Sequence, residues 1–583
     1  MKHKKILIYA LAFASLTTGI TGCSSFLDAD NKSNVTTDTY YRTEEGYESL
    51  INATYSILRT IYGGEPKLFC NGTDLYMDGR NKMDDFLHGY KLDANNDDVK
   101  TFYQNCYAGI QLANEAVYYS ELTVPTNQVP GFRDQVRFLR AYYYYLLSQQ
   151  FGGVPLETEY IQNAKNNFPR ASLQDTYDFI IGELTDLEQN GNLPETDYTG
   201  HISKQAVRAI LAKTYLAAGW DLGVTANEDG SNVSVTDHTY FGLAAAMADK
   251  AIAGKRLTLS FNDKWAPDND NNEETIFTIQ YDRNVAETST DGNSQQNYFG
   301  STYGTPGTDG HKGSASSYAP TIRLLTLYQK GDDRYDGTFM KVLYEYFPDI
   351  TEYRTGYYAF YGEHTTDINI KMYYPAHYEC SPEEIAAWRA KDPIHRTNTR
   401  VVPMTDPTYN PLMLEWSDKN RMSYADAVTE SCGATCIRKF DDPESVGANN
   451  TSFRDIVITH LSDMYLIAAE AYYMNNEPGT ALNRINEVRV RSHAALLLQS
   501  ELNIDKILDE RAMELAGEYQ RWIDLRRTKK LVEYNLKWNT RLNDDINNMR
   551  GTDGRIKWYR PIPQDEINLN EAMTEADQND GYK

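Results

Sequence analysis

A run of carboxylates and arginines near the end of the chain has residue types and a spacing that acid–base chemistry could use. Within residues 507–531 these groups stand three or four positions apart: Glu510, Glu514, Glu518, Arg521, Asp524 and Arg527. The same stretch carries an apolar stripe at helical spacing, and opposite charges three or four apart pair along a helix. Pairs of this kind are common on protein surfaces and individually weak. We therefore predict a salt-bridged structural face without catalytic function, on two helices or one kinked helix interrupted at Gly517.

Signatures of other catalytic or metal chemistries are missing from the sequence. It holds no GxSxG, HExxH, P-loop or strand-linked GxGxxG motif. Cys432 and Cys436 form a CxxxC without a second pair or nearby histidines, which favours a small disulfide or two free thiols over zinc. The acidic run at 268–274 lacks the glycine and glutamate of a calcium loop, so a solvated loop is the better interpretation. We expect neither a metal nor a cofactor.

The start of the chain has the pattern of an exported lipoprotein. Lys2, Lys4 and Lys5 precede an apolar run at 6–14 that is too short to span a bilayer as a mature helix. The sequence ITGC at 20–23 resembles a bacterial lipobox, so residues 1–22 are predicted to be a signal peptide and Cys23 to be lipidated. Residues 23–43 then form a polar tether, and buried acyl methylenes at about 0.8 kcal/mol each supply the anchor.

Charge argues against one large class of partner. The 583-residue chain carries a formal charge of -25, which becomes -28 when the three lysines of the leader are removed. Phosphate backbones would be repelled by such a protein, so we expect no nucleic-acid binding.

The elements that must position any functional residue are mainly helical. A first helix is expected near 44–62, and apolar stripes recur within 136–147, 207–218 and 461–472, the last followed by a mate after the Pro478-Gly479 turn. Pairs of this kind resemble tetratricopeptide units and can also be drawn at 104–150 and 202–254, the second with an insertion at 221–238. Arg140 lies on an apolar stripe and is therefore expected to be buried and paired.

The middle of the chain breaks this periodicity. Asn, Asp, Gly, Thr and Tyr dominate from 256 to 455, with a strand-like fragment at 275–281 and many glycines between 292 and 313. We predict a mainly α fold: a tetratricopeptide-like scaffold at 44–255, completed by a C-terminal helical part at 456–583. An irregular, loop-rich middle insertion at 256–455 is expected to bind the ligand.

Seven stretches of the chain, in order, resemble the SusD/RagB family of outer-membrane nutrient-uptake lipoproteins of Bacteroidetes. They are ITGC at 20–23, VRFLRAYYYYLLSQQFGGVPL at 136–156, APTIRLLTLYQKGDDRYDGTF at 319–339, CIRKF at 436–440, RDIVITHLSDMYLIAAEAYY at 454–473, LDERAMELAGEYQRWIDLRR at 508–527 and WYRPIPQDEINLN at 558–570. The resemblance implies a helical fold with four tetratricopeptide-like pairs. It also implies a cell-surface, lipid-anchored position in the outer membrane and a SusC-like TonB-dependent transporter as partner.

The function implied is capture of oligosaccharides or polysaccharides for import, without catalysis. Two alternatives stay open. The nutrient could be a peptide or another compound delivered to the same type of transporter, or, less favoured, the protein could be a surface glycoside hydrolase that uses two of its 82 acidic residues.

The matching stretches carry fold and not ligand chemistry, so a site has to be inferred from the residues. Sugars present apolar C–H faces and hydroxyl edges, which are met by aromatic platforms and polar side chains. The predicted ligand-binding residues are aromatic residues outside the helical stripes, together with polar neighbours: Tyr76, Asp78, Arg80, Trp265, Tyr298 and Tyr303. Arg80 is the expected polar anchor and Trp265 the expected platform.

Overall fold

The computed structural model describes residues 36–284, 291–300, 315–344, 370–402, 435–442 and 451–583. Most of the described chain is helical, which confirms the predicted fold class. Its α-helices are, in chain order, α1 Thr37–Tyr41, α2 Glu44–Tyr62, α3 Lys67–Cys70, α4 Asp85–His88, α5 Asp97–Tyr119, α6 Val129–Phe151, α7 Leu173–Asn190, α8 Lys204–Leu222, α9 Thr239–Ile252, α10 Phe261–Lys264, α11 Gln295–Phe299, α12 Ile322–Leu327, α13 Arg334–Thr338, α14 Pro382–Ala390, α15 Pro393–Arg396, α16 Leu461–Met474, α17 Pro478–Arg491, α18 Ile504–Glu514, α19 Arg521–Arg527, α20 Leu531–Trp538 and α21 Gln564–Leu569. Within these residues no helix combines the length and the apolar character needed to cross a membrane.

Several helices begin where the sequence supplies a capping side chain. Thr43 Oγ1 accepts a hydrogen bond from Gly46 N at 3.1 Å and starts α2 at the predicted position. Ser203 and Asn503 do the same for α8 and α18. Each cap satisfies an amide that the helix cannot satisfy itself, a contribution of about 1 kcal/mol.

Eight of these helices pack in series and form the scaffold. In spatial order they are α2, α5, α6, α7, α8, α9, α16 and α17, each in contact with the next. The small residues Ala244, Ala245 and Ala248 of α9 are buried in this stack. The helix pairs expected at 104–150, 202–254 and 461–491 are all present. The series of packed helices is continuous from α9 to α16, although α16 and α17 lie more than 200 residues after α9 in sequence.

Short strands connect the middle of the chain to this scaffold. The strands are β1 Tyr76–Asp78, β2 Val224–Thr225, β3 Ser234–Val235, β4 Thr275–Ile279, β5 Tyr318–Pro320, β6 Val342–Tyr344, β7 Ile370–Tyr373, β8 Arg400–Val401 and β9 Ile456–His460. The pairs β1–β5, β2–β3 and β4–β9 are antiparallel two-stranded ribbons, and β6–β7–β8 is a three-stranded sheet. The insertion expected at 221–238 is the β2–β3 ribbon, and the strand expected at 275–281 is β4.

The charged face predicted at 507–531 is not at the surface. None of its six charged residues is more than 5% exposed. Arg511 Nη1 donates to Asp463 Oδ1 at 2.9 Å, and Arg521 Nη2 donates to Asp74 Oδ2 at 2.7 Å. Arg334 Nη1 lies 2.7 Å from Glu510 Oε1. The prediction of a structural, ion-paired segment holds, but its surface position was wrong, because partners from distant elements surround α18 and α19 on every side.

Gly517 divides α18 from α19, as its position in the sequence predicted. Its φ is +80°, a backbone conformation that suits glycine. A Cβ atom there would lie 2.4 Å from Phe440 Cε2. The break therefore depends on glycine both for its backbone angle and for the space it leaves.

Arg140 is buried and paired, as predicted from its place on an apolar stripe. It is 6% exposed. Its Nη1 donates to Asn114 Oδ1 at 2.8 Å and its Nη2 donates to Glu183 Oε2 at 2.6 Å. These two bonds join α5, α6 and α7, because each helix supplies one of the three side chains.

Candidate functional site

The β1–β5 ribbon brings two of the predicted site regions together. Asp78 lies opposite Tyr318 in the ribbon. Gly79 N donates to Ser317 O at 3.1 Å, and Ser317 N donates to Tyr298 O at 3.0 Å. Ser317, the residue before β5, therefore bonds to both Gly79 and Tyr298. These two parts of the chain are more than 200 residues apart in sequence.

Arg541 ties a third segment to this place. Its Nε donates to Asp78 Oδ2 at 3.2 Å, and its Nη1 donates to Asp85 Oδ1. Partial burial alone would lower the pKa of Arg541, but the hydrogen bond and charge of Asp78 raise it. Asp78 is also fixed by Met83 N, which donates to its Oδ1 at 2.9 Å. We call the surface formed by Asp78, Arg80, Phe86, Tyr298 and Arg541 the ribbon surface.

The ribbon surface offers both apolar and polar groups to solvent. Phe86, which follows Asp85 on α4, is 53% exposed. Arg80 is exposed and Tyr298 is half-buried, with its ring 6.5 Å from that of Tyr318. Burial, together with the nearby Glu65 carboxylate, raises the pKa of the Tyr298 hydroxyl. An exposed ring beside charged hydrogen-bonding groups is the combination that a sugar ring requires.

Two of the predicted aromatic residues lie inside the protein instead. Tyr76 is 3% exposed, and its hydroxyl accepts a hydrogen bond from Gly517 N at 2.6 Å. Trp265 is 7% exposed, with Lys439 Nζ 4.2 Å from its ring centroid and Phe440 against it at 5.7 Å. The expectation that these rings stand in exposed loops is corrected, because their faces are covered by protein.

Both buried rings belong to one aromatic chain. Tyr76 packs on Phe299 at 5.4 Å, Phe299 on Phe440 at 6.0 Å, and Phe440 on Trp265. The two predicted site regions therefore also meet in the core, through this aromatic chain, as well as at the β1–β5 ribbon. Tyr303 lies outside the described residues.

A second candidate place, which sequence reasoning missed, is a cavity of about 560 Å³ above the β6–β7–β8 sheet. We call it the charged pocket. It is lined by Lys330, Asp336, Phe339, Lys341, Val342, Tyr373, Glu379, Glu384, Ala387, Trp388, Lys391 and Arg438. The Trp388 ring stacks on Tyr373 with centroids 3.9 Å apart and an interplanar angle of 2°. A tryptophan on a short helix without an apolar stripe was the available signal, since α14 has no buried residue.

One carboxyl has a pKa moved into the neutral range, but it lies in neither place. Burial, with the Asp270 carboxylate close by, raises the pKa of Asp455 to about 7. Its oxygens accept hydrogen bonds from Tyr281 N at 2.8 Å and from Gln280 Nε2 at 2.6 Å. In the part of the chain that the structure describes, no group of three His, Cys, Asp or Glu residues could hold a metal ion.

Two carboxylates of the acidic run at 268–274 are bonded to protein. Asp270 Oδ1 accepts from Arg454 Nη2 at 2.7 Å, and Glu274 Oε1 accepts from Leu259 N at 3.1 Å. Cys432, the partner proposed for Cys436, lies outside the described residues, so that pairing stays a prediction.

Two family models and several known proteins are similar to this chain. A model described as "SusD family" matches residues 273–582, and one described as "Starch-binding associating with outer membrane" matches 25–216. "SusD-like protein P25" of Formosa agariphila is 22% identical, over 100% of both chains. "Starch-binding protein SusD" of Bacteroides thetaiotaomicron is 24% identical over 77% of this chain and 73% of its own.

Solved structures share the fold. "Surface glycan-binding protein A" of Bacteroides thetaiotaomicron, in complex with laminarihexaose, superposes with a TM-score of 0.61 at 17% identity, over 92% of this chain and 99% of its own.

Proposed function

Because the chain belongs to the SusD family, we propose that it is a cell-surface lipoprotein that binds glycans without catalysis and delivers them to a TonB-dependent transporter. The family membership read from seven sequence stretches is thereby confirmed, and the family is one of glycan-binding proteins. The lipid anchor, the glycan contacts and the transporter are the parts of this proposal that go further.

The ribbon surface carries the proposal for the binding site. Phe86 and Tyr298 supply aromatic surface, while Arg80, Asp78 and Arg541 supply donors and acceptors for sugar hydroxyls. Arg541 holds Asp78 and Asp85 in place, so the polar groups are ordered before a ligand arrives. Groups ordered in advance lose little freedom on binding, which favours affinity.

Relatives support a saccharide as the ligand class. The names of two proteins similar to this chain state starch binding and glycan binding, and the second was solved with a laminarin hexamer. A peptide is the alternative ligand. The ribbon surface favours a sugar, because the exposed phenylalanine can pack on the flat apolar face of a sugar ring while the neighbouring ion pair bonds its hydroxyl edge.

The location rests on the leader and on the family. The lipobox ends at Cys23, and the model that describes association with the outer membrane matches from residue 25. Delivery to a SusC-like transporter rests on the family resemblance. Co-purification of a TonB-dependent barrel with the tagged protein from outer membranes tests it, and recovery of the protein alone under mild detergent would contradict it.

The binding experiment uses one variant and one matched control. A glycan array identifies an oligosaccharide, whose affinity is then measured by calorimetry for the parent, Phe86→Ala and Tyr118→Ala. Tyr118 is also an exposed aromatic residue, at 40%, but lies on the scaffold helix α5 away from the ribbon. Phe86→Ala is expected to weaken binding by about tenfold or more. Equal affinity of Phe86→Ala and the parent would reject the ribbon surface as the site.

A further inference from the structure

The charged pocket concentrates positive charge in an acidic protein. Among the lining residues that the structure describes, four are cations, Lys330, Lys341, Lys391 and Arg438, and three are carboxylates. The chain as a whole carries a formal charge of -25. An excess of cations in one concave place, against that background, creates a local field that attracts anions.

The pocket's own carboxylates are already engaged by two of its lysines. Lys341 Nζ lies 3.0 Å from Asp336 Oδ1 and 2.7 Å from Glu379 Oε2. Lys330 Nζ lies 3.2 Å from Glu384 Oε1. Lys391, which is exposed at the end of α14, forms no ion pair with any residue that the structure describes. An arriving anion would therefore meet a cation that no carboxylate among the described residues has neutralised.

The wall beside Lys391 is rigid. Tyr373 covers one face of the Trp388 ring, and the Arg396 guanidinium carbon lies 4.5 Å from the centroid of the same ring. Two groups at these distances cannot share one face, so the indole is held between them. Arg396 Nη1 also donates to Trp388 O at 3.0 Å. The indole edge and a volume of about 560 Å³ provide room for an organic ring rather than for a bare ion.

We propose that the charged pocket is a second saccharide site, separate from the ribbon surface, that binds a sugar carrying an anionic group: a uronate carboxylate or a sulfate ester. The inference rests on the proposed function only in taking the ligand to be a saccharide. No residue of the ribbon surface lines the pocket, so the two sites can be tested independently.

The test measures three probes by calorimetry on the purified full-length protein: a galacturonate tetramer, a sulfated galactan tetramer and a neutral oligosaccharide that binds the protein. Inorganic sulfate serves as the control for a plain ion site. The variants are Lys391→Ala and, as matched control, Lys537→Ala. Lys537 is likewise an exposed lysine that neighbours a tryptophan, with its Nζ 5.2 Å from the Trp538 ring.

At least one anionic tetramer is expected to bind the parent, more weakly at high salt, and Lys391→Ala is expected to lower its affinity about tenfold. Whichever tetramer responds identifies the carboxylate or the sulfate as the source. Lys537→Ala and the neutral probe are expected to be unaffected. Phe86→Ala should lower the affinity of the neutral probe alone.

The inference is overturned if neither anionic tetramer binds, if Lys391→Ala binds the responding tetramer as tightly as the parent does, or if inorganic sulfate binds as tightly as that tetramer. A loss of anionic binding in Phe86→Ala equal to that of the neutral probe would also overturn it, because both ligands would then share the ribbon surface. Failure of the ribbon proposal alone would give a different result. Phe86→Ala would then leave the affinity for the neutral probe unchanged, while Lys391→Ala would still lower the affinity for the anionic tetramer.

Discussion

Replacing Asp455 with asparagine is expected to stabilise the protein at neutral and alkaline pH, and to have its smallest effect near pH 4. The carboxyl is enclosed at the start of β9, and burial together with Asp270 raises its pKa from 3.8 to about 7. The hydrogen bonds from Tyr281 N and Gln280 Nε2 oppose this shift without cancelling it. Folding therefore favours the protonated form of Asp455.

The sign and size of the stability change follow from the difference between the pKa of Asp455 in the folded and in the unfolded chain. In the unfolded chain Asp455 loses its proton near pH 3.8, whereas the folded protein keeps it until about pH 7. Stability is thus lost as pH rises between these values, and the loss is complete above pH 7. About three pH units at 1.36 kcal/mol each correspond to about 4 kcal/mol of unfolding free energy. Asparagine carries no charge at any pH and escapes this loss.

Urea unfolding of the parent and Asp455→Asn at pH 4, 6 and 8 measures the effect as a difference, in which the contributions of titrating groups that do not interact with Asp455 cancel. The difference is expected to grow in favour of the variant by about 4 kcal/mol from pH 4 to pH 8. Asp268→Asn, at an exposed position of the loop between α10 and β4, is the control and should show no such growth. A difference that does not change with pH would refute the reasoning, because Asp455 would then titrate as an ordinary carboxyl.

Three further outcomes are expected. Trp265→Ala should lower the unfolding free energy in urea by about 3 to 5 kcal/mol because its ring is buried, and an unchanged midpoint would return Trp265 to the list of surface platforms. Cys23→Ala should leave a folded protein in the soluble fraction after cell lysis, since lipid supplies the anchor; retention with membranes would contradict the lipoprotein prediction. The pure protein should release no reducing ends from the oligosaccharide it binds, and activity that survives repurification in proportion to protein would contradict the non-catalytic proposal.

The helical scaffold could be predicted because its signal is local. The stripes at 136–147, 207–218 and 461–472 each repeat with the helical period, and the structure places a helix on every one. Arg140 could be assigned to the interior for the same reason, since a charged residue on an apolar stripe must be buried with its helix face. The division of the chain at 255 and 455 stays a prediction, and the β4–β9 ribbon joins the parts on either side of the second boundary.

The position of the charged segment at 507–531 could not be predicted, because burial there depends on partners far away in sequence. Asp74 and Asp463 neutralise Arg521 and Arg511 from elements that no local pattern relates to α19 or α18. The burial of Trp265 could not be predicted for a related reason. This residue follows a helix of four residues, which is too short to show a period, so its burial left no trace in the sequence.

Of the two candidate places, the sequence analysis named residues of the ribbon surface but none of the charged pocket. Asp78, Arg80 and Tyr298 were chosen for their polar, glycine-rich surroundings, and these three do lie together. Trp388 and Lys391 belong to a short helix that gains meaning only when Tyr373 of β7 is placed beneath it.

The pairing of Asp74 with Arg521 also bears on how the molecule comes into being. A ribosome releases residue 74 long before residue 521, since 447 positions separate them. The same order applies to Asp221 and Arg526, which are 305 positions apart. Until the last tenth of the polypeptide exists, the early helices would have to enclose acidic groups that lack their counter-ions, at a cost of several kcal/mol each. These native ion pairs can therefore form only when nearly the whole chain has been made.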